Sequence, residues 1–335
     1  MDDGKRCLSQ RQFGWAVGVG AVVSGSPVFI ITRVLEHSTA FVQIMCRSLF
    51  FLFTVVVAAL IKWRRPDVAL FHFRSLRVKG AVGCFFLAAQ SVAIICALLL
   101  TKASNVAFLI NTSPCFCCVM DCFYLKEKVP RRTIGMIIFG LISVAVIVGG
   151  DVVFQPENVG GNLVALINPV SWAFFWATQR EDAKAATGRQ YPAGAVSSKW
   201  DRLLAIQIVV GFLLLCVSVP ISFLGTGTMG VSTVQTGDMI FYGILGGICL
   251  PVCISMFSLA PSYISTSEMG CIKMLEVVLV PVLVYLYNGE VPNTTTYIGG
   301  SLLILTMTVH TALAMRDGAV RDEKKDLVVS KEQAL

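Results

Sequence analysis

Charged residues are scarce in this sequence. Only 14% of the 335 residues are charged, whereas a soluble chain of this length carries about 25%. Hydrophobic residues make up 56% of the chain, and the mean hydropathy is +0.75. So few charges exclude a soluble globular protein, because too few polar groups remain to cover its surface. The sequence therefore predicts an all-α integral membrane protein whose core is mostly embedded in the bilayer.

Catalytic and nucleotide-binding signatures are missing as well. The sequence contains no GxxxxGK[ST] phosphate loop, no HExxH and no GxSxG. We therefore expect neither enzymatic activity nor a cofactor, and any transport would draw on a gradient. The net charge of +7 does not indicate nucleic-acid binding, since it reflects basic residues grouped at one membrane face.

Cysteine is plentiful, but its placement argues against disulfides. Eleven of the twelve cysteines lie in apolar segments and only Cys7 lies outside them. Buried cysteine packs as a small hydrophobe, so we expect no structural disulfide. Cys115, Cys118 and Cys122 share one helical face, with Cys117 beside them. This face favours packing over a soft-metal site because no histidine or second cysteine cluster accompanies it. No metal is expected, although whether the face binds anything stays open.

Apolar segments of about 20 residues, the length that crosses a bilayer, recur along the chain. We predict ten transmembrane helices separated by short polar stretches. The predicted spans are 13–35, 39–61, 79–100, 104–125, 133–150, 160–178, 203–224, 239–260, 264–287 and 296–315. A polar N-terminus, 1–12, precedes them, and a polar tail, 316–335, follows and is predicted to be disordered.

Basic residues alternate between the loops and so predict the orientation. Of 27 lysines and arginines, 23 lie at the termini or around the loops after spans two, four and six. Lys102 alone lies in a loop on the other side. Because basic residues stay in the cytoplasm, both termini are predicted to be cytoplasmic. Whether the membrane is the plasma membrane or an endomembrane stays open.

Two stretches of equal length indicate an internal repeat. Asn105–Glu127 and Glu268–Glu290 each end in glutamate, and a Val-Pro and an Ile-Gly follow each of them. Five spans is an odd number, so the second copy enters the membrane from the opposite side. We therefore predict two inverted five-helix repeats, 13–150 and 160–315, which is the usual architecture of a secondary transporter.

The order and spacing of several motifs point to a known group of proteins. These motifs are GNLVALINPVSWAFFWATQR at the head of the second copy, Arg47 in span two, Ala103-Ser104, Pro114 followed by Glu127, and the run from Leu275-Glu276 to Gly289-Glu290. Together they resemble the drug/metabolite transporter superfamily, specifically its EamA-like transporters. Span nine also resembles the G-type branch of the nucleotide-sugar solute-carrier family, which is associated with organic-anion transport.

The resemblance has two departures that bear on function. The family often has proline directly after the acidic residue of span nine, whereas this chain has Val277 there and Pro281 four residues later. The Lys-Arg pair of the sugar-phosphate carriers is also absent, because Met274 follows Lys273. A phosphate antiporter is therefore disfavoured.

Span nine carries the strongest candidates for a binding site. Lys273 and Glu276 are three residues apart and therefore share a helical face. Counting from Glu268, Glu276 lies about 12 Å along the helix, close to mid-membrane. Lys273 would attract an anion, while Glu276 would carry a proton or pair with the lysine in the empty site. The alternative is that the two residues only neutralise each other, although ionisable groups inside a membrane usually mark function.

The remaining candidates are spread over five spans. Arg47 is predicted either to bind an anion or to hold a structural pair. The uncharged candidates to line the cavity are Gln90, Asn111, Asn168 and Trp172. Each of them could instead hold neighbouring helices together through interhelical contacts. The candidate hinges are Pro114, Pro169 and Pro281, because proline frees a carbonyl one turn earlier.

We interpret the chain as a secondary active transporter that moves a small organic solute by alternating access. An organic anion is favoured because Arg47 and Lys273 are deep basic groups, and proton coupling through Glu276 is an option. The alternatives are an exporter of neutral or cationic metabolites, and a non-transporting membrane scaffold or regulator. The expected partners are a small-molecule substrate and the lipid bilayer, not nucleic acid, and a homodimer stays open. A sealed core would favour the scaffold, whereas a polar cavity walled by Lys273 would favour transport.

Overall fold

The computed structural model describes most of the chain. The described residues are 2–63, 66–76, 78–124, 155–186, 199–224, 234–263, 266–273 and 275–289, with parts of 135–149 and 294–309. Regular structure in these ranges is entirely helical. The tail 316–335, Glu127 and Glu290 lie outside them, so the matched glutamates of the predicted repeat are not described.

The helices, numbered along the chain, are often broken by proline or glycine. They are α1 (Asp2–Gly25), α2 (Pro27–Val34), α3 (Ala40–Trp63), α4 (Pro66–Ser75), α5 (Val78–Leu100), α6 (Ala103–Ile110), α7 (Ser113–Phe123), α8 (Val159–Ala165), α9 (Ile167–Ala186), α10 (Lys199–Leu224), α11 (Asp238–Tyr242), a π-helical segment (Gly243–Cys249), α12 (Leu250–Leu259), α13 (Thr266–Lys273) and α14 (Leu275–Asn288).

Six helical stretches are long and apolar enough to cross a membrane. They are Gln12–Val34, Ala40–Trp63, Val78–Leu100, Pro156–Gln179, Asp201–Phe223 and Asp238–Ser262. Each begins and ends within four residues of a predicted span. The prediction of an all-helical membrane protein is therefore confirmed at this coarser level. Shorter apolar helices, Asn105–Met120, Ile138–Ile147 and Tyr297–Thr306, lie in three of the other predicted spans.

The first apolar segment is broken between α1 and α2, and two serine hydroxyls at the break bond back to the preceding turn. Pro27 begins α2 and has no N–H to continue the helix. Ser24 Oγ donates to the Gly20 carbonyl at 2.8 Å, and Ser26 Oγ donates to the Val22 carbonyl at 2.8 Å. The sequence Ser-Gly-Ser-Pro thus encodes a helix break that leaves few bare polar groups in an apolar interior.

A similar device separates α6 from α7. Asn111 Nδ2 donates to the Ala107 carbonyl at 2.7 Å, and Thr112 Oγ1 donates to the Leu109 carbonyl at 2.7 Å. Ser113 Oγ donates to the Ile110 carbonyl at 2.5 Å, and Pro114 follows in the first turn of α7. The Asn-Thr-Ser-Pro sequence therefore ends one helix and begins the next inside the apolar region.

Helix α5 packs along α8 and α9 over its whole length. At one end Gly161 of α8 lies against the Leu100 backbone, where an added Cβ would come within 2.7 Å. In the middle, the rings of Phe86 and Phe174 stack with centroids 4.4 Å apart. At the other end Lys79 Nζ contacts Glu181 Oε2 at 2.7 Å. We call this unit the α5–α9 pair.

Helix α1 packs against α12 in the same end-to-end manner. Phe13 meets Tyr263 edge to face at one end, with ring centroids 5.3 Å apart. In the middle, a Cβ added at Gly25 would lie 2.9 Å from Cys253 Sγ. At the far end, beyond α2, His37 Nε2 lies 2.8 Å from Asp238 Oδ2 of α11. We call this unit the α1–α12 pair, and it includes α2, α11 and the π-helical segment.

The sequence did not predict helix α4, which covers the end of α3 and the start of α10. The His72 ring is buried and stacks on Trp63 with centroids 5.6 Å apart. Trp63 Nε1 donates to Asp201 Oδ1 at 3.1 Å, and Lys62 Nζ lies 3.1 Å from the same oxygen. Burial lowers the pKa of His72 below its usual 6.5, with Asp201 opposing this shift and Lys62 adding to it.

Candidate functional site

Lys273 and Glu276 form an ion pair inside the bundle. Lys273 Nζ donates to Glu276 Oε2 at 2.9 Å, and each residue is only 3% exposed. Lys273 ends α13 and Glu276 lies in the first turn of α14, while Met274 between them lies outside the described residues. Two charges this deep in an apolar core need each other, because an unpaired charge there is costly.

Aromatic rings from two other helices enclose the lysine. Lys273 Nζ lies 5.7 Å from the centroid of the Trp172 ring and 5.6 Å from that of Phe257. The two rings also contact each other, with centroids 5.0 Å apart and planes tilted by 49°. Both separations from the ammonium are within the range of cation–π attraction. The ammonium therefore occupies a cage of two rings and one carboxylate, which we call the aromatic cage.

Trp176 extends the cage. Its ring centroid is 5.1 Å from that of Trp172 and 6.1 Å from that of Phe257, and the residue is fully buried. Its indole Nε1 has no hydrogen-bond partner. Trp172 and Trp176 are spaced i, i+4, so their shared helical face was readable from the sequence. Phe257 carries no comparable signal, and both Trp176 and Phe257 are absent from the sequence-based candidates.

Helix α1 reaches the same site through Cys253. At the α1–α2 break, a Cβ added at Gly25 would lie 2.9 Å from Cys253 Sγ. Cys253 is one turn from Phe257, the ring that caps Lys273, on α12. The break in the first apolar segment therefore packs against the helix that caps the ion pair.

Three other candidates belong to a second polar cluster. Arg47 Nη2 donates to the Ser91 carbonyl at 2.6 Å, and Gln90 Nε2 donates to Ser91 Oγ at 2.9 Å. Asn168 Nδ2 donates to Gln90 Oε1 at 2.9 Å. All four residues are buried. The cluster joins α3, α5 and α9, and Arg47 donates to a backbone carbonyl there.

The two clusters share one helix. Asn168 and Trp172 are one turn apart on α9, so one helix carries a member of each cluster. The structure thus brings together Trp172 with Lys273 and Glu276, and Arg47 with Gln90 and Asn168. Asn111 bonds within its own chain segment, to Ala107 at 2.7 Å.

The candidate hinge prolines occupy different places in their helices. Pro114 lies in the first turn of α7, directly after a break. Pro169 is the third residue of α9, after the break at Leu166. Pro281 lies inside α14, at its seventh residue.

A separate cleft lies at the bundle end that carries the turn between α2 and α3. It has a volume of about 540 Å³ and is lined by Arg33, Glu36, His37, Ser38, Thr39 and Leu99. Arg33 Nη2 donates to the Thr101 carbonyl at 2.6 Å beside it. None of these residues belongs to either buried cluster. The ion pair is therefore closed off from this cleft.

The cysteine face of α7 is mostly buried. Cys115, Cys117 and Cys118 are at most 4% exposed, whereas Cys122 is exposed. Among the residues that the structure describes, no three histidine, cysteine or acidic side chains are grouped as metal ligands would be.

Comparisons with known proteins bear on the fold alone. No family model matches the sequence, and no curated protein matches it. A crystal structure of another protein superposes with a TM-score of 0.61, covering 91% of this chain and 98% of that chain. The two sequences are 16% identical, so the likeness establishes a shared fold and nothing about activity.

Proposed function

We propose that this protein is a secondary active transporter of the drug/metabolite type, which carries a small organic anion by alternating access. In this proposal the chain forms ten transmembrane helices in two inverted repeats, 13–150 and 160–315, with both termini in the cytoplasm. The protein is not an enzyme and needs no cofactor. The resemblance of the sequence to EamA-like transporters supports the class, and the buried Lys273–Glu276 pair supports the site.

The observation that carries the proposal is the ion pair at the junction of helices from both ends of the chain. Lys273 lies against Trp172 of α9 and Phe257 of α12, and Cys253, one turn from Phe257, lies against Gly25 of α1. A pair that served packing alone could be replaced by apolar side chains at little cost in stability. Its place where several broken helices meet favours a role in binding.

The aromatic cage favours an anion over a cation. A cage of rings and a carboxylate would suit an organic cation, but the ammonium of Lys273 already occupies it. Because this ammonium is tethered, its effective concentration in the cage is roughly millimolar or higher, and a free cation must displace it. An anion instead competes with Glu276 for the lysine and need not displace the ammonium.

Proton coupling follows from the same pair. When Glu276 is ionised it holds the lysine at 2.9 Å. When Glu276 takes up a proton, the lysine loses its anionic partner and becomes available to an anionic substrate. Binding of a proton and binding of the anion are therefore linked, as symport requires.

Packing of the two helix pairs supports the proposed repeat and mechanism. In the repeat, span one corresponds to span six and span three to span eight. Exchanging the two repeats therefore maps the α1–α12 pair, from spans one and eight, onto the α5–α9 pair, from spans six and three. Each pair is packed from end to end. We propose that the two pairs move as bodies past each other, which opens the interface between Trp172 and Phe257. Each body then combines helices from both repeats.

One observation favours the scaffold alternative. Lys273 and Glu276 are 3% exposed, so the site as it stands is sealed and not the wall of an open cavity. In a scaffold this arrangement would be permanent, whereas in a transporter it is the occluded member of a cycle.

Transport assays separate these alternatives. Proteoliposomes containing the full chain would be tested for uptake of benzenesulfonate, citrate, phosphate, choline and a neutral sugar from pH 5.5 to 8. We expect accumulation of an anion that Lys273→Met abolishes and that loses its pH dependence in Glu276→Gln. If no solute enters faster than into protein-free vesicles, the transporter proposal is wrong and the scaffold remains.

A further inference from the structure

We infer that the transported solute is a flat aromatic monoanion, with its charge on Lys273, its ring between Trp172 and Phe257, and Trp176 as a second hydrogen-bond donor. This inference rests on the proposed function and names the substrate class of that same site. It adds Phe257 and Trp176 as residues that determine specificity.

The charge at the site fixes the valence of the anion. Lys273 and Glu276 are the charged side chains at the cage, and they are paired at 2.9 Å. When Glu276 is protonated, one positive charge remains, and one negative charge on the solute balances it. Arg47 donates instead to the Ser91 carbonyl in the second polar cluster. A second negative charge on the solute would lie unpaired in an apolar site, which is costly.

The walls of the site fix the shape of the anion. Ring faces carry the negative side of the aromatic quadrupole, so they repel a bare polyanion and accept the face or edge of another ring. Trp172 and Phe257 form a wedge, with centroids 5.0 Å apart and planes at 49°. Trp172 lies in the α5–α9 pair and Phe257 in the α1–α12 pair. A separation of these two bodies would open the wedge enough for one flat ring to enter.

Trp176 supplies the hydrogen bond that the structure leaves unmade. Its indole Nε1 is buried without a partner in a residue that is fully enclosed. A buried N–H without a partner is unfavourable unless something accepts its hydrogen bond. A carboxylate or sulfonate has several acceptor oxygens, so it can bind the Lys273 ammonium and still accept from a second donor.

Three matched probes test valence and shape on the unaltered protein. Benzenesulfonate is a flat monoanion, cyclohexanesulfonate has the same charge on a puckered ring, and benzene-1,3-disulfonate has the same ring with two charges. All three stay ionised and cross bare lipid slowly. We expect uptake of benzenesulfonate to exceed that of the other two roughly tenfold, and benzyltrimethylammonium not to compete.

Two variants assign the preference to residues, and a third is the control. Phe257→Leu should reduce the preference for benzenesulfonate over cyclohexanesulfonate to about threefold or less, because the ring wall is lost. Trp176→Phe should weaken both sulfonates about tenfold and leave that preference unchanged, because it removes only the N–H. Phe51→Leu replaces a phenylalanine that is 1% exposed on α3, and it should alter neither value.

The outcomes separate this inference from the proposed function. If cyclohexanesulfonate, the disulfonate or citrate enters as fast as benzenesulfonate and in a Lys273-dependent manner, the transporter stands and the aromatic monoanion is wrong. If benzyltrimethylammonium is the solute that enters, the charge assignment is wrong. If no probe enters, both proposals fail. The panel on the unaltered chain gives this decision even where a variant does not fold.

Discussion

Replacing Lys273 with methionine tests whether the buried pair is as interdependent as its geometry indicates. Methionine keeps an unbranched apolar chain of similar length but removes the ammonium 2.9 Å from Glu276 Oε2. Glu276, which is 3% exposed, must then remain ionised without a partner or take up a proton. An unpaired buried charge costs several kcal/mol, so protonation becomes the cheaper response as the pH falls.

The cost of protonation sets the size of the effect. A glutamic acid in water ionises near pH 4.3, and holding it protonated costs about 1.36 kcal/mol for each pH unit above that. Protonation therefore limits the cost of leaving Glu276 without its partner to about 3.7 kcal/mol at pH 7 and about 1.6 kcal/mol at pH 5.5. Loss of the two cation–π contacts is partly offset by methionine–aromatic contacts of about 0.3–1.5 kcal/mol. We expect Lys273→Met to lower the free energy of unfolding by about 3–4 kcal/mol at pH 7 and by about 2 kcal/mol less at pH 5.5.

Two further variants isolate the pair. Lys79→Met removes the lysine of an exposed pair with Glu181, where the lysine side chain is 57% exposed, and should cost less than about 1 kcal/mol at either pH. The double variant Lys273→Met, Glu276→Leu replaces both charges with apolar groups and should regain most of the lost stability. It should nevertheless fail to transport benzenesulfonate.

Unfolding titrations of the purified protein at pH 7 and pH 5.5 give the free energies, and proteoliposome uptake gives the rates. If Lys273→Met costs no more than Lys79→Met, or costs the same at both pH values, the pair is not buried and coupled as argued. If the double variant transports at the parent rate, the pair is structural and the substrate site lies elsewhere.

Three other measurements follow. Cysteine labelling should place Gln155 on the external side and the C-terminus in the cytoplasm, and labelling of both from one side would overturn the topology. Oxidation of the Gly25→Cys variant should form a disulfide with Cys253, because an added Cβ lies 2.9 Å from the sulfur. Transport should persist after oxidation if α1 and α12 move as one body. Gly25→Ala is the control, and a loss of transport that occurs only on oxidation would contradict the rigid pair. The parent should lose stability as the pH falls below about 6.5, because the lowered pKa of His72 makes the unfolded state bind more protons there than the folded state. His72→Phe should remove this loss. Melting temperatures measured from pH 7.5 to 5 check this, and the same pH dependence in both proteins would refute it.

The helical class and six of the apolar spans were predictable, because the thickness of a bilayer dictates the length of an apolar run. A run of about 20 apolar residues is needed to cross the hydrocarbon core, so spans such as Val78–Leu100 are visible in the sequence. Helix α4 was not predictable in this way, since its ten residues contain polar and basic groups. Its burial depends on packing of Trp63 and His72 against α10, which no local pattern records.

The candidate site was predictable in part. Lys273 and Glu276 were visible because charges are rare in apolar segments, and their i, i+3 spacing placed them on one face. The sequence could not show that Phe257, sixteen residues before Lys273 and on another helix, caps the ammonium at 5.6 Å. The sequence also could not show that Arg47 and Lys273 belong to different polar clusters. This assignment depends on which carbonyl the guanidinium contacts in the folded chain.

The helix breaks show how local sequence and function meet in this fold. An unbroken apolar helix satisfies its own carbonyls and has nothing left to offer a solute. The chain instead interrupts its apolar segments before Pro27 and Pro114, and short polar side chains at each break donate to carbonyls of the preceding turn. At one of these breaks, Gly25 lies against Cys253 of α12, one turn from Phe257, the ring that caps Lys273. In the proposed transporter, a movement of the α1–α12 pair as one body would therefore move one wall of the aromatic cage directly and would need no longer path.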